Sequence, residues 1–457
     1  MKRRQFLKGA ATAAGAVAGL ASASPWQAGA GFLRGPVILA AGSPNSKLGI
    51  AVIACGGMGG GNPGTAAGER FVAMCDVDEK KIAEAAAKIK EKVPNPKVYY
   101  DYRKMLDECA KDIDVVLIAT PDHNHAPAAI RAINLGKHTF CQKPLAHDIY
   151  ECRTLAEAAR KNKVHTQMGN QGHCGEGYRR LCEYIWAGAI GNVTEAHCIL
   201  GRSFGGTGGR PASKPVPDGL HWDEWLGPAP FRDFHDHLHP FNWRSWRDFG
   251  TGTLGDMACH VMDGTFWALK LGEARNYTIE CLAQKGGSEE KYAQDNMIRW
   301  DFPARGSMPP VKVFAYDNQG QKPDFIKELE KKNDRKPGDG TFYVGDKGVM
   351  YTGTYGEGVR IIPEEKHQAF PSPPETIPRV KGGPIGDLIR AVRGGTAPCS
   401  NFIDSAGPFT EFVMSGHLAM FAGVGKKVEW DVAAMKCTNI PGLNQYIKRT
   451  YRKGWEV

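Results

Sequence analysis

Twelve cysteines are scattered through 457 residues, yet no two form a C-x-x-C pair and none cluster. Neither a zinc site nor a disulfide framework is therefore expected, and no metal is assigned. His235, His237 and His239 alternate suggestively, but a loop containing Pro240 offers no fixed ligand geometry. No apolar run approaches the roughly 20 residues that cross a bilayer. The stretch from about Gly9 to Leu20 is too short, so no stable membrane insertion of the mature form is expected. No internal repeat appears, which excludes a solenoid. A basic block outside the N-terminus is also missing. Net charge is +9, Lys2, Arg3, Arg4 and Lys8 supply four of those charges, and later basic residues alternate with acids, as in "EKKIAEAAAKIKEK". That pattern reads as the solvated face of a helix and gives no nucleic-acid partner.

What is present points to an ordinary globular chain of two or more domains, with 42% hydrophobic and 23% charged residues. Its N-terminus, "MKRRQFLKGAATAAGAVAGLASAS", places adjacent arginines before a short Ala/Gly-rich apolar run and small residues suited to cleavage. This resembles a twin-arginine signal over residues 1–30. It implies export to the periplasm by the twin-arginine machinery, a route that carries folded proteins and lets buried thiols stay unpaired.

From Lys47 onward, continuous apolar strands alternate with helical patterns of about 10–15 residues, the signature of a parallel sheet covered on both faces. Residues 47–168 are expected to form an NAD-binding Rossmann domain. The turn "ACGGMGGGNPG" carries the phosphate site, through Cys55, Gly56, Gly57, Met58 and Gly59. Gly56 and Gly59 match the second and third glycines of a dinucleotide fingerprint. Ala54 replaces the first, which is tolerable if its φ stays negative. Asp76 closes the second strand, where a carboxylate accepts from ribose hydroxyls and repels a 2′-phosphate, favouring NAD over NADP. The same residue also suits a helix N-cap. "IATPDHNHAPAAI" sets Thr120, Pro121 and His123 at the carboxyl edge of the sheet, and "HTFCQKPLAHD" delivers Gln142 and Lys143 to the same edge.

Further on, Leu254 to Leu269 reads as one helix, so Asp256 and His260, four apart, share a face. A carboxylate beside an imidazole can orient it and favour its protonated form, which suits proton exchange with a hydroxyl as hydride leaves the same carbon. With these residues the chain resembles the glucose-fructose oxidoreductase, inositol dehydrogenase and rhizopine-catabolism (Gfo/Idh/MocA) family. The family's Glu-Lys-Pro motif stands here as Gln142-Lys143-Pro144, and its Asp-x-x-x-His motif as Asp256 and His260. The resemblance implies a substrate-facing junction at Asn170, Gln171 and His173.

The Trp-, His- and Arg-rich stretch that includes Arg244 offers aromatic faces and donors suited to sugar rings, although such loops also simply cover sheets. Five strand-like runs between Asn276 and Pro363 imply that residues 169–457 form an α+β substrate-binding domain with a large open, mainly antiparallel sheet. The proline-rich "KHQAFPSPPETIPRVKGG" is expected as a surface connection without helix. The reading is an exported oxidoreductase transferring hydride between a sugar, polyol or glycoside alcohol and tightly bound NAD, with a homo-oligomer expected. Lys143 would polarise the reacting oxygen, His260 exchange its proton and Asp256 orient His260. A redox-neutral NAD-dependent glycosidase or lyase, and a non-catalytic sugar-binding or sensor protein, remain as alternatives.

Overall fold

β1 (Gly49–Ile53), β2 (Arg70–Cys75), β3 (Val98–Tyr99), β4 (Val115–Ile118), β5 (His138–Cys141) and β6 (Thr166–Met168) form one sheet in the order β3-β2-β1-β4-β5-β6. All of its pairings are parallel. The computed structural model describes residues 47–332 and 338–457; the leader read over residues 1–30 lies outside them. Alternation along each strand sorts its side chains onto two cores. Ala51, Ile53, Val116 and Ile118 face one, while Ile50, Val52, Val115 and Leu117 face the other. This two-sided burial is why the strands read as unbroken apolar runs. The strand order reverses direction between β1 and β4, and a doubly wound sheet opens its ligand crevice at the carboxyl ends there.

The second sheet comprises β7 (Val193–Ile199), β8 (Asn276–Lys285), β9 (Gln294–Phe302), β10 (Val311–Tyr316), β11 (Gly340–Gly345), β12 (Gly348–Gly353), β13 (Arg360–Ile362), β14 (Lys427–Asp431) and β15 (Lys436–Cys437). Its order is β13-β12-β11-β7-β10-β9-β8-β14-β15. Only β7 and β10 pair in parallel among the described strands of this sheet; the other neighbours are antiparallel. The buried helix Gly407–Ala422 covers it, with Phe412 packed on Trp300 at 5.0 Å between ring centroids.

Three details depart from the sequence reading. The expected helix Leu254–Leu269 is two helices, Gly252–Val261 and Asp263–Ala268, broken at Met262. The Tyr178 hydroxyl donates to the His260 carbonyl, an acceptor that a continuous helix would reserve for the Gly264 N–H. The proline-rich connection begins with a short helix, Glu364–Ala369, because its prolines start only at Pro371. Finally, the first domain is completed from the far end of the chain. Leu388 and Val392, on the helix Gly383–Val392, join the core of Ile50, Val52 and Phe140, and Trp455 packs edge-on against Tyr102 at 5.7 Å.

Candidate active site

Gly56, Gly57, Met58, Asp76, Thr120, Pro121, Gln142 and Lys143 line one wall of a cleft of about 460 Å³ at the carboxyl edge of the parallel sheet. The glycines differ in task. A Cβ on Gly59 would stand 2.4 Å from the Ala54 carbonyl oxygen and 2.9 Å from the Ala119 Cβ, so this position permits close packing against β1 and β4. Around a Cβ on Gly57 there is nothing within 4 Å, which leaves that part of the turn open to a ligand. Cys55 is buried behind the turn and contributes its backbone rather than its thiol.

The condition set for Ala54 is not met: its φ is +68°, the left-handed region that a glycine takes without strain. Asp76 does not cap the following helix either. It accepts from the N–H of Cys55 at 2.7 Å and of Asp78 at 3.0 Å, tying β2 to the glycine turn. Asp78 is the cap of Glu79–Ile89, accepting from the N–H of Lys80 and Lys81. Burial pushes the Asp76 carboxyl above its ordinary range, against those two donors.

The opposite wall comes from the second domain, through Gln171, Arg202, Phe241, Arg244, Asp256 and His260. Here the geometry corrects the sequence reading. Asp256 does not orient His260; it accepts from Lys143 Nζ at 3.0 Å and from Arg244 Nε at 3.2 Å. Lys143 Nζ donates as well to the Asp256 backbone carbonyl, at 3.2 Å. Burial would raise the Asp256 carboxyl, but the two cations outweigh it and hold the group ionised below its ordinary value. His260 is the reverse case. Burial, with the charge of Lys143 beside it, lowers its pKa to about 3, against a weaker upward pull from Asp256. The imidazole is therefore neutral rather than protonated. Its Nδ1 is buried without a hydrogen-bond partner among the described residues, and its ring meets Tyr355 at 4.9 Å. Arg244 lies between the rings of Phe241 and Trp243, 4.3 Å from each centroid.

Besides Cys55 and Gly59, which lie behind the turn, three more expected site residues fall outside the cleft. His123 is fully buried; its Nε2 donates to the Trp225 carbonyl at 2.9 Å, and burial lowers its pKa to about 3. It docks the aromatic segment onto the first domain. Asn170 and His173 turn away because the chain after β6 enters the helix Gln171–Cys174, which leaves Gln171 alone on the cleft. His173 Nδ1 donates to Asp263 at 2.9 Å and its ring stacks on Trp267 at 4.4 Å, while Asn170 donates to Asp263 at 3.1 Å. Most of the aromatic segment is a covering core of Trp222, Trp225, Phe234, Trp246 and Phe249. His239 pairs with Asp78 at 3.1 Å.

Sequence reasoning missed several contributors. Asp122 lines the cleft, accepts from Thr251 Oγ1 at 2.6 Å, and is pushed by burial up to about 7. His125 stands between the carbonyl oxygens of Thr120 at 2.9 Å and Pro144 at 2.6 Å, where the single N–H of the neutral ring donates to one of them and the ring sits at the meeting of the two loops that carry Thr120 and Lys143. Arg202 and Tyr355 enter from loops without any motif. A dinucleotide fits this donor and acceptor set. Thr120 Oγ1 and Gln142 Oε1 are buried in the cleft wall without hydrogen-bond partners among the described residues, beside an open glycine turn.

Comparison with known proteins agrees with this arrangement. Residues 48–170 match the oxidoreductase family model for an NAD-binding Rossmann fold, and residues 204–295 match that family's C-terminal alpha/beta domain. Inositol 2-dehydrogenase of Salmonella typhimurium is 34% identical over 134 residues, covering 29% of this chain and 38% of that protein. Levoglucosan dehydrogenase of Pseudarthrobacter phenanthrenivorans is 34% identical over 171 residues, covering 36% of this chain and 34% of that protein. The chain thus aligns with little more than a third of the length of these curated relatives. The crystal structure of aldose-aldose oxidoreductase from Caulobacter crescentus shares the fold, with a TM-score of 0.56 at 16% identity over 84% of this chain and 99% of that one.

Proposed function

We propose, from the matches of residues 48–170 and 204–295 to the two domain models of the Gfo/Idh/MocA oxidoreductase family, an NAD-dependent dehydrogenase acting on a secondary alcohol of a sugar, polyol or glycoside. One observation carries the reading. The paired Lys143 and the neutral His260 share a single cleft with the glycine turn. NAD, when bound, supplies the hydride acceptor. Lys143, oriented by Asp256, donates a hydrogen bond to the reacting oxygen and favours its developing negative charge. His260, neutral at physiological pH, accepts the hydroxyl proton. Its depressed basicity makes the imidazolium, once formed, a ready donor, so the proton returns easily in the reverse direction. Arg244 helps fix Asp256 and presents its guanidinium to the substrate.

The substrate class rests on the sugar and polyol dehydrogenases among the relatives. Preference for NAD over NADP, by about tenfold or about 1.4 kcal/mol, rests on the Asp76 carboxylate at the ribose end. The twin-arginine leader supports export, with nucleotide carried inside the folded protein at sub-micromolar affinity, roughly −8 kcal/mol or better. A panel of sugars, polyols and glycosides, read by nicotinamide absorbance and product mass spectrometry, tests the proposal. Net NADH with an oxidised product is the expected result. Released aglycone without net NADH would replace it by redox-neutral cleavage, and binding without either change would leave a sensor.

A further inference from the structure

We propose that Cys174 and Cys399 form a redox modification site, a dithiol that closes to a disulfide by exchange with a small-molecule disulfide and staples one cleft wall to the first domain. Their sulfurs lie 3.3 Å apart although the residues are 225 positions apart in sequence. Both are free thiols; Cys174 is buried and Cys399 is partly buried, so Cys399 is the more accessible of the two to an oxidant. The backbone of Cys399 is fixed by its N–H donating to Asp387 Oδ2 at 2.7 Å. Cys174 ends the four-residue helix that begins with Gln171 on the cleft, and Asp263, which holds His173 of that helix, begins the helix that follows His260. Closing the pair therefore anchors the Gln171 wall. The site is independent of the substrate proposed above.

Reactivity is divided between the two sulfurs. Donation from Cys174, opposed by burial and aided by His173, lowers the Cys399 thiol to about 7, while the Cys174 thiol is raised. Cys399 is accordingly the attacking thiolate. It displaces one thiolate from the oxidant and forms a mixed disulfide; the Cys174 sulfur then attacks the Cys399 sulfur and displaces the second. One S–S bond forms in the protein, one breaks in the oxidant, and the two cysteine protons pass to the two released thiolates.

Asp387 stands close enough to make a three-ligand metal set with the pair. Its oxygens are already used, Oδ1 by Arg390 at 2.7 Å and Oδ2 by Cys399. Two thiolates on one tetrahedral zinc stand about 3.8 Å apart, from a Zn–S length of about 2.3 Å. The observed 3.3 Å is short for that and suits a thiol pair poised to bond.

The test is incubation of the intact native chain with glutathione disulfide, followed by denaturation, thiol titration and peptide mass spectrometry. Ten of the twelve cysteines should then titrate, with one peptide pair joined through Cys174 and Cys399 and all twelve restored by dithiothreitol. The oxidised protein should melt about 5 °C or more above the reduced one, and Cys174→Ser or Cys399→Ser should abolish both the crosslink and the shift. If those variants fail to fold, the wild-type crosslink still decides. Twelve thiols after oxidation, glutathione retained on Cys399, or one equivalent of zinc released when the thiols are blocked would each overturn the proposal.

Discussion

Asp256 and His260 stand one helical turn apart in the cleft, whereas Asp263 and His173 meet from two different helices in a sealed pocket beside it. The first pair is four residues apart and shares no hydrogen bond: Asp256 is held by Lys143 and Arg244, and His260, which it pulls upward only weakly, is left with a pKa of about 3. The second pair is 90 residues apart and tightly joined at 2.9 Å. Burial lowers the His173 imidazole, but the charge and hydrogen bond of Asp263 overcome that and raise it above its ordinary value. Position on a helix face therefore does not decide which histidine is the more basic. A carboxylate already shared by two cations has little attraction left for a third group, while a carboxylate bonded to a buried imidazole and one neutral amide can raise that imidazole's pKa in spite of burial.

The strongest way to break this contrast is to remove Lys143, which both engages Asp256 and lowers His260. In Lys143→Met, hydride transfer should fall roughly 10³-fold. NADH binding, followed by its fluorescence, should change only a few-fold, because the glycine turn and Asp76 are untouched. Near-normal turnover in a variant that still binds nucleotide would end the role given to this lysine.

How much of this was readable from the chain follows the distance over which each feature is assembled. The glycine turn, Asp76, Lys143, Asp256 and His260 were legible because strand ends and helix spacing are local, and the cleft does gather them. Their partners were not. The Lys143–Asp256 bond joins residues 113 apart, and the His173–Asp263 bond depends on how two helices dock. Nothing local distinguishes a histidine that enters a cleft from one that docks a loop, so His123 and His173 looked as eligible as His260. Ala54 misled for a different reason: its φ is imposed by the tight turn after β1, and residue identity alone gives the opposite sign.

A smaller and more selective effect should separate the two histidines. His260→Gln should reduce turnover roughly 10²-fold with little loss of stability. His173→Gln should do the opposite. It leaves the Asp263 carboxylate, 2% exposed, without its imidazole partner, which costs about 3 kcal/mol, while turnover per folded molecule stays within a few-fold. Urea unfolding read beside initial rates checks both variants, and a loss of rate without a loss of stability in His173→Gln would erase the distinction.

The smallest expected effect is also the one in which the two histidines oppose each other, through pH. Between about pH 3 and the ordinary imidazole value of about 6.5, His260 binds fewer protons folded than unfolded, because its folded pKa is depressed. Its contribution is complete above pH 6.5 and declines as pH falls through that window. His173 has a raised folded pKa, so its contribution is complete below pH 6.5 and is lost as pH rises through the folded value. Either group alone changes stability by at most about 1.4 kcal/mol per pH unit. Burial depresses His123 to about 3, and His125 and His417 to about 4, so these side with His260. Replacing His260 should therefore remove only one share of the acid-side slope, whereas His173→Gln should flatten the loss of stability above pH 6.5 without altering the acid side. Urea midpoints measured from pH 5 to 9 on both variants resolve the two slopes. If His173→Gln instead changed only the acid side, His173 would have to be neutral in the folded protein, and the contrast between the two pairs would collapse to a difference in location alone.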